Sequence, residues 1–168
     1  MKTFSFCIAL AALCFSALLL QATSAVAAQK KSSYGTLTGV RFVKNYDGDT
    51  ITVDLKGHHP LFGDDISVRI AGIDTPEIKG KCSQEKELAR EAREVVGRIL
   101  KKAGTIKLKN VRRGKYFRIV ADVQAGKQDV ADVLIKKGLA VRYDGGTKGF
   151  DWCGGKAGRT GRTFWKRY

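Results

Sequence analysis

The sequence predicts an α+β fold, mainly β, in which two to three helices pack on a small closed barrel of five strands. Five segments are rich in β-branched residues or alternate between apolar and polar positions. An amphipathic helical pattern separates the third segment from the fourth, and a shorter one follows the fifth. Three strands, a helix, two strands and a helix are the element order of an OB-like barrel.

The first half of the predicted barrel is a hairpin followed by a third strand. Residues 36–46 and 50–55 read as two strands, and the Asp-Gly-Asp sequence at 47–49 between them is a strong turn signal. Residues 56–65 are predicted to form a loop. Residues 66–73 alternate along the chain, which predicts a strand with Ile66, Val68 and Ile70 on one face.

A long helix and a second hairpin are predicted next. Ser83 can cap the helix and Gly104 ends it. Residues 105–111 and 116–123 then form two strands. The helix carries one apolar stripe at helical spacing: Leu88, Ala92, Val95, Val96, Ile99, Leu100 and Ala103.

A shorter helix closes the predicted domain. Asp129 caps this helix and Gly138 stops it, and residues 139–143 form a final apolar segment. From Gly145 onward, seven glycines and six Lys or Arg residues leave little surface to bury, so this part is a tail or a docked loop. The predicted OB-fold domain covers residues 35–144, and the basic tail covers residues 145–168.

The first residues are predicted to be a secretory signal peptide. Lys2 provides a positive start, residues 8–20 are an uncharged apolar run, and Ala25-Val26-Ala27 fits a small-x-small cleavage site. A retained membrane anchor is the alternative, but it needs about 20 apolar residues. We therefore expect a signal peptide over residues 1–27, a linker over residues 28–34, and a protein exported to the periplasm or secreted.

The charge of the chain points to a polyanionic partner. The sequence carries 31 basic and 16 acidic residues, a formal net charge of +15, and loss of the signal peptide removes only Lys2 from this count. Excess Lys and Arg gain most beside densely spaced phosphates, so nucleic acid is the first candidate. Anionic lipid or cell-wall polymer is the second, and charge alone does not separate them.

Cys82 and Cys153 are the two cysteines that remain after the predicted cleavage. An isolated pair in an oxidising compartment favours a disulfide, with two unpaired thiols as the alternative. The pair lacks the CxxC or nearby-histidine spacing of a zinc site.

Three acidic positions and two arginines carry the candidate chemistry. Asp49 and Asp74 offer hard oxygen ligands suited to calcium, and the backbone carbonyl of Thr75 can complete the set. Glu77 follows Pro76, where its carboxylate can activate water. Arg69 and Arg118 can meet the phosphate and the charge of the transition state. Each residue alone has a structural explanation, as a turn former or a solvated strand residue, and only the combination argues for catalysis.

At these residues the sequence resembles the staphylococcal-nuclease-like (thermonuclease) family. The resemblance rests on residues 43–50, 68–77 and 115–123 in family order, and covers roughly residues 35–143. It implies an OB-type barrel, calcium dependence, and attack on DNA and RNA that leaves 3′-phosphate ends. By residue match, Asp49, Asp74 and the Thr75 carbonyl bind calcium.

The resemblance also implies the remaining roles. Arg69, Glu77 and Arg118 take the catalytic places. Tyr116 matches a substrate-stacking position of the family. Lys115 and Tyr143 are predicted as further substrate contacts, although Tyr143 does not align with the family's other such tyrosines. The protein is expected to be a monomer that is not inserted in a membrane. Phe117 stands where the family usually has glycine. The rival functions are a non-catalytic nucleic-acid binder on the same fold and a cationic exported protein acting on membranes or wall polymers.

Overall fold

A computed structural model describes residues 33–114 and 118–154 of the 168-residue chain. The predicted signal peptide, most of the predicted linker and the last part of the predicted tail lie outside the described residues. The same holds for Lys115, Tyr116 and Phe117. In the described part of the chain, no helix is both long enough and apolar enough to cross a membrane.

Eight strands and three helices make up the described chain. The strands are β1 Val40–Asn45, β2 Thr50–Leu55, β3 Ile66–Ile70, β4 Ile73–Asp74, β5 Ile106–Arg113, β6 Ile119–Ala125, β7 Gln128–Asp129 and β8 Val141–Arg142. The helices are α1 Pro60–Gly63, α2 Ser83–Lys102 and α3 Val130–Lys136.

One curved sheet forms the centre of the fold. Its strands lie in the order β1-β2-β3-β6-β5, with β7 added to β6, and all its pairs are antiparallel except β3 with β6. Main-chain hydrogen bonds of 2.8 and 3.0 Å join Leu37 to Leu108, so the segment before β1 meets β5 at the opposite edge. The α+β, mainly β, OB-like prediction is confirmed.

Two predicted strands are shorter than their sequence patterns. The strand predicted over residues 36–46 begins only at Val40, after Gly39 at φ +69°. The strand predicted over residues 66–73 ends at Ile70, because Gly72 at φ +75° turns the chain and β4 pairs with β8 instead. Residues 66–70 do alternate as predicted, with Val68 and Ile70 buried. The predicted loop over residues 56–65 contains the single turn of α1.

Helices α2 and α3 pack on the sheet through their apolar residues. Most of the predicted α2 stripe is buried, and Leu88, Ile99 and Ala103 lie partly buried at its margin. Cys82, and not Ser83, is the N-cap residue of α2, and its sulfur lies 3.4 Å from the backbone nitrogen of Glu85. Asp129 caps α3 as predicted, accepting a hydrogen bond from the backbone of Asp132 at 3.2 Å.

The predicted disulfide between Cys82 and Cys153 is confirmed. The bond joins residues 71 apart in the chain, and their Cα atoms lie 5.9 Å apart. Trp152, next to Cys153, is only 5% exposed and packs edge-on against Phe150 with ring centroids 4.5 Å apart. Residues 145–154 are therefore a docked segment, held covalently at the start of α2.

The hairpin turn between β1 and β2 packs tightly against α2. A Cβ atom placed on Gly48 would lie 2.8 Å from Cβ of Ala92 and 3.0 Å from Cγ2 of Thr75. Such distances are shorter than van der Waals contact. Glycine at this position therefore lets the turn, the helix and the segment after β4 meet.

We expect Gly48→Ala to lower the free energy of unfolding by about 1–3 kcal/mol, because the added methyl group overpacks this contact. Gly104→Ala is the matched control. Gly104 is exposed and a Cβ there would meet nothing within 4 Å, so its change should be near zero or slightly stabilising. Urea denaturation of both variants measures the difference, and equal stabilities would contradict the packing argument.

Candidate functional site

In the Asp-Gly-Asp turn, the side chain of Asp47 accepts hydrogen bonds from the backbone of the turn itself. Oδ1 of Asp47 accepts hydrogen bonds from the backbone nitrogens of Asp49 at 3.1 Å and Thr50 at 2.8 Å. Nδ2 of Asn45 donates to the carbonyls of Asp47 at 3.0 Å and Arg93 at 2.9 Å, which ties the turn to α2. The turn therefore delivers Asp49 at a fixed position immediately before β2.

Asp49 and Arg69 form an ion pair between neighbouring strands. Thr50 pairs with Arg69 in the β2–β3 register, and Nη1 of Arg69 lies 2.5 Å from Oδ1 of Asp49. The same oxygen accepts from the Thr50 hydroxyl at 3.0 Å. Asp49 is only 2% exposed, so this pair sits away from bulk water.

The second nitrogen of Arg69 reaches the other predicted metal ligand. Nη2 donates to the carbonyl of Ile73 at 3.2 Å and lies 3.8 Å from Oδ1 of Asp74. Asp74 and Thr75 are both buried, and Asp74 pairs with Val141 in the β4–β8 ladder. One guanidinium group thus lies between the two buried carboxylates.

Glu77 lies at the outer side of this cluster. Its side chain is 47% exposed. Its backbone nitrogen donates to Oε1 of the buried Glu85 at 3.3 Å, which holds the loop after β4 against the start of α2. A carboxylate that is fixed in position and still half open to water suits proton transfer.

Lys148 is a member of the cluster that sequence reasoning missed. Its Nζ lies 2.8 Å from Oδ1 of Asp74 and 2.5 Å from Oε1 of Glu77. Burial by itself lowers the pKa of Lys148, but the close contacts with the carboxylates of Asp74 and Glu77 and their negative charges raise the pKa above its ordinary value. A single lysine in a Gly-rich tail carries no signal that would have pointed to this place.

Tyr143 lies beside the cluster. The Arg69 guanidinium lies 5.9 Å from the centre of the Tyr143 ring, within range of a cation–π contact. The tyrosine hydroxyl donates to the carbonyl of Gly146 at 2.5 Å, and its backbone nitrogen donates to Gly72 at 3.0 Å. These bonds orient the ring next to Arg69.

Arg118 directly precedes β6, and Val120 of that strand pairs with Arg69. Among residues 33–114 and 118–154, Arg118 forms no ion pair, and its buried Nε has no hydrogen-bond partner. Its carbonyl accepts from Gly114 at 2.7 Å. Lys115 and Tyr116 lie outside the described residues. The roles of these three residues stay predictions.

The donor set of the cluster fits a hard cation. Asp49 and Asp74 place buried carboxylates on either side of Arg69, and Thr75, whose backbone carbonyl is the third predicted ligand, is buried directly after Asp74. Oxygen is the ligand type that calcium prefers. Oδ1 of Asp74 is buried and accepts no aligned hydrogen bond among the described residues, so its contact with Lys148 is a charge pairing. Asp49, Asp74 and Thr75 could therefore hold such an ion.

A second group of possible ligands does not fit a metal. The ligand atoms of Cys82, Glu85 and Cys153 lie within 4.8 Å of one another. Both sulfurs belong to the disulfide, so neither is a thiolate that could bind a cation. Glu85 instead accepts hydrogen bonds from the backbone of Glu77 and Lys81.

The fold and the cluster together define a class of protein, an OB-like barrel in which one arginine lies between two buried carboxylates. A model of the staphylococcal nuclease homologue family matches residues 67–165. The chain belongs to this family. The match includes Arg69, Asp74, Glu77 and Arg118, and begins after Asp49.

Two curated relatives are similar to part of this chain. A probable endonuclease of Schizosaccharomyces pombe is 37% identical over 92 residues, which are 51% of this chain and 40% of that protein. A probable endonuclease of Verticillium alfalfae is 33% identical over 103 residues, which are 59% of this chain and 35% of that protein. The chain thus matches well under half the length of each relative.

Asp47 should weaken the fold as its carboxyl group ionises. Burial, followed by the charge of Asp49, raises the pKa of Asp47 from 3.8 to about 6, although the backbone nitrogens of Asp49 and Thr50 oppose this shift. Because the folded protein holds this proton more tightly than the unfolded chain, stability from this group is present below about pH 4 and is lost as pH rises through about 6.

We expect Asp47→Asn, which keeps the Oδ1 acceptor, to exceed the wild type in unfolding free energy above pH 7. With chelator present, the difference in unfolding free energy between the variant and the wild type should be about 1–3 kcal/mol larger above pH 7 than at pH 4. The exposed Asp64→Asn is the control and should show no such pH dependence. Chemical denaturation across this pH range tests the expectation, and a gain that does not vary with pH would refute it.

Proposed function

We propose that this chain is an exported, calcium-dependent nuclease that hydrolyses phosphodiester bonds of DNA and RNA and leaves 3′-phosphate ends. The observation that carries the proposal is one charged cluster, in which Arg69 lies between the buried carboxylates of Asp49 and Asp74. Glu77 lies beside the same cluster. Family membership, and two relatives named probable endonucleases, support the nuclease part.

Asp49, Asp74 and the Thr75 carbonyl would hold the calcium ion. When bound, the ion supplies positive charge that orients a phosphate and offsets its negative charge. Hard oxygen donors on buried backbone support this choice of metal, because calcium accepts a loose shell completed by water.

Three side chains of the protein are proposed to act on the water and the phosphate. Glu77 takes a proton from the attacking water, and its half-exposed carboxylate gives that water access. Arg69 and Arg118 donate hydrogen bonds to phosphate oxygens, where charge grows in the transition state. Arg69 is pre-oriented for this by its bonds to Asp49 and Ile73, so it needs little rearrangement on substrate binding.

Charge and aromatic groups support a nucleic-acid substrate. A net charge of +15 favours binding of a polyanion through counterion release. Lys115, Tyr116 and Tyr143 are proposed to contact the substrate, Lys115 through phosphate and the tyrosines by stacking. Tyr143 has the best structural support of the three, since its ring lies beside Arg69.

Export to the periplasm or the exterior rests on the signal-peptide pattern of residues 1–27 and on the cysteine pair. Disulfides form and persist mainly in oxidising compartments, so the Cys82–Cys153 bond supports this placement. We also propose that the protein acts as a monomer.

Calcium should be required for activity. We expect purified protein to cleave single- and double-stranded DNA and RNA with calcium, to lose activity in excess chelator, and to recover it when calcium is restored. Magnesium should substitute poorly, because it demands a stricter octahedral shell. Equal rates with chelator or with magnesium would contradict the metal assignment. Tight binding of nucleic acid without cleavage under every condition would favour the non-catalytic rival.

Glu77→Gln should lower the turnover rate by about 10²–10³, because it removes the proton acceptor while keeping the side-chain volume. The exposed Glu91→Gln removes the same charge from α2 and should keep wild-type turnover. Arg69→Ala and Arg118→Ala should each cost a similar factor through lost contacts with the transition state. Steady-state kinetics of folded variants, checked by thermal melting, decides this. Near wild-type turnover of Glu77→Gln would show that another group is the base.

A further inference from the structure

The segment between β8 and the disulfide places an ammonium group inside the proposed metal site. Residues 143–153, called here the C-terminal loop, begin at Tyr143 and end at Cys153. Lys148 lies near the middle, and its Nζ contacts Asp74 at 2.8 Å and Glu77 at 2.5 Å. The two partners are the proposed calcium ligand and the proposed base.

We propose that Lys148 is a tethered counter-ion that competes with calcium for this site, so that the C-terminal loop sets the affinity of the enzyme for its metal. The inference rests on the proposed function, because it takes Asp74 as a metal ligand. Lys148 and a cation held by Asp74 repel each other, and both are attracted by the same two carboxylates.

The C-terminal loop is anchored at both ends, which keeps Lys148 near the site. At one end, Tyr143 is bonded through its backbone nitrogen to Gly72 and through its hydroxyl to Gly146. At the other end, Trp152 is buried and Cys153 is bonded to Cys82. Because the lysine is anchored, its ammonium group competes with calcium at a much higher effective concentration than a free ammonium ion in solution would have.

The lysine is nevertheless able to leave. Its side chain is 44% exposed, whereas that of Asp74 is 5% exposed. Its flexible stem can therefore swing the ammonium group into water while the loop anchors stay in place. The buried carboxylate of Asp74 has no such freedom. Because Arg69 is bonded to Asp49 and lies 3.8 Å from Asp74, Asp74 favours a second cation beside it, either Lys148 or a metal ion.

Release of Lys148 would also free the base. While Lys148 is bonded to Oε1 of Glu77, that oxygen is occupied and cannot accept a hydrogen bond from an attacking water at the same position. Displacement of the lysine by calcium would load the metal site and free this oxygen of Glu77 in one event. Lys148 is thus a positioning residue for the reaction and takes no covalent part in it.

Lys148→Gln tests the competition directly. We expect the calcium dissociation constant of the oxidised full chain, measured by isothermal titration calorimetry, to fall by about tenfold, because a like charge beside the ligand set is removed. Lys127→Gln removes the same charge from the exposed turn that follows β6. Arg69 pairs with Val120 at the opposite end of β6, so Lys127 lies away from the proposed metal site. This control should leave the calcium affinity unchanged.

A second measurement uses the wild-type protein and does not depend on how a variant folds. Acetylation by a small acylating reagent, followed by mass spectrometry of peptides, reports how freely each lysine ammonium group reacts. Lys148 should react slowly without calcium and faster at saturating calcium, while Lys127 should react at the same rate in both. No change at Lys148 during saturable calcium binding would overturn the inference.

The calorimetric outcomes separate this inference from the proposed function. Unchanged or weaker calcium binding by Lys148→Gln, with normal binding by the wild type, would overturn the role of Lys148 alone. Absence of calcium binding in the wild type and both variants would overturn it together with the proposed metal dependence.

Discussion

The ion pairing of two buried carboxylates is the constraint on which the site depends. Asp49 and Asp74 are nearly inaccessible to water, and an unpaired charge in such surroundings costs several kcal/mol. Arg69 lies between them, in direct contact with Asp49 and within 3.8 Å of Asp74. The cluster is therefore held together by charge compensation, and any cation or phosphate that binds must take part in the same balance.

Strand register and tight packing of the backbone determine where the charged side chains of the cluster lie. The β2–β3 register sets Thr50 opposite Arg69, which brings Asp49 beside the guanidinium group. The turn at Gly72 redirects the chain so that Asp74 pairs with β8 and faces the same region. Close contact of Gly48 with Ala92 and Thr75 brings the hairpin turn, α2 and the segment after β4 into one unit. Small changes in this packing would therefore move the proposed metal ligands and not only loops.

The C-terminal loop forms one side of the candidate site. Tyr143 stacks beside Arg69, Lys148 neutralises Asp74 and Glu77, and the disulfide holds the far end of the loop at the start of α2. Glu85 connects the C-terminal loop to the rest of the site. It accepts hydrogen bonds from the backbone nitrogens of Glu77 and Lys81, and its carboxylate lies 3.7 Å from the sulfur of Cys153. A segment with the composition of a solvated tail thus becomes part of the candidate site.

The sequence by itself determined the α+β class and the family, because these rest on local signals: alternation in strands, a helical stripe, caps and turn residues, and motifs in a fixed order. It favoured a disulfide between the two cysteines without excluding free thiols. It also singled out Asp49, Arg69, Asp74 and Glu77, which the fold brings into one region. Only the tertiary structure decided how these charges are paired. Strand lengths changed where Gly39 and Gly72 adopt positive φ, and Cys82 took the cap position expected of Ser83. Lys148 has no local signal at all, since its role depends on a contact with a carboxylate 71 positions earlier and on a loop folded back by a covalent bond.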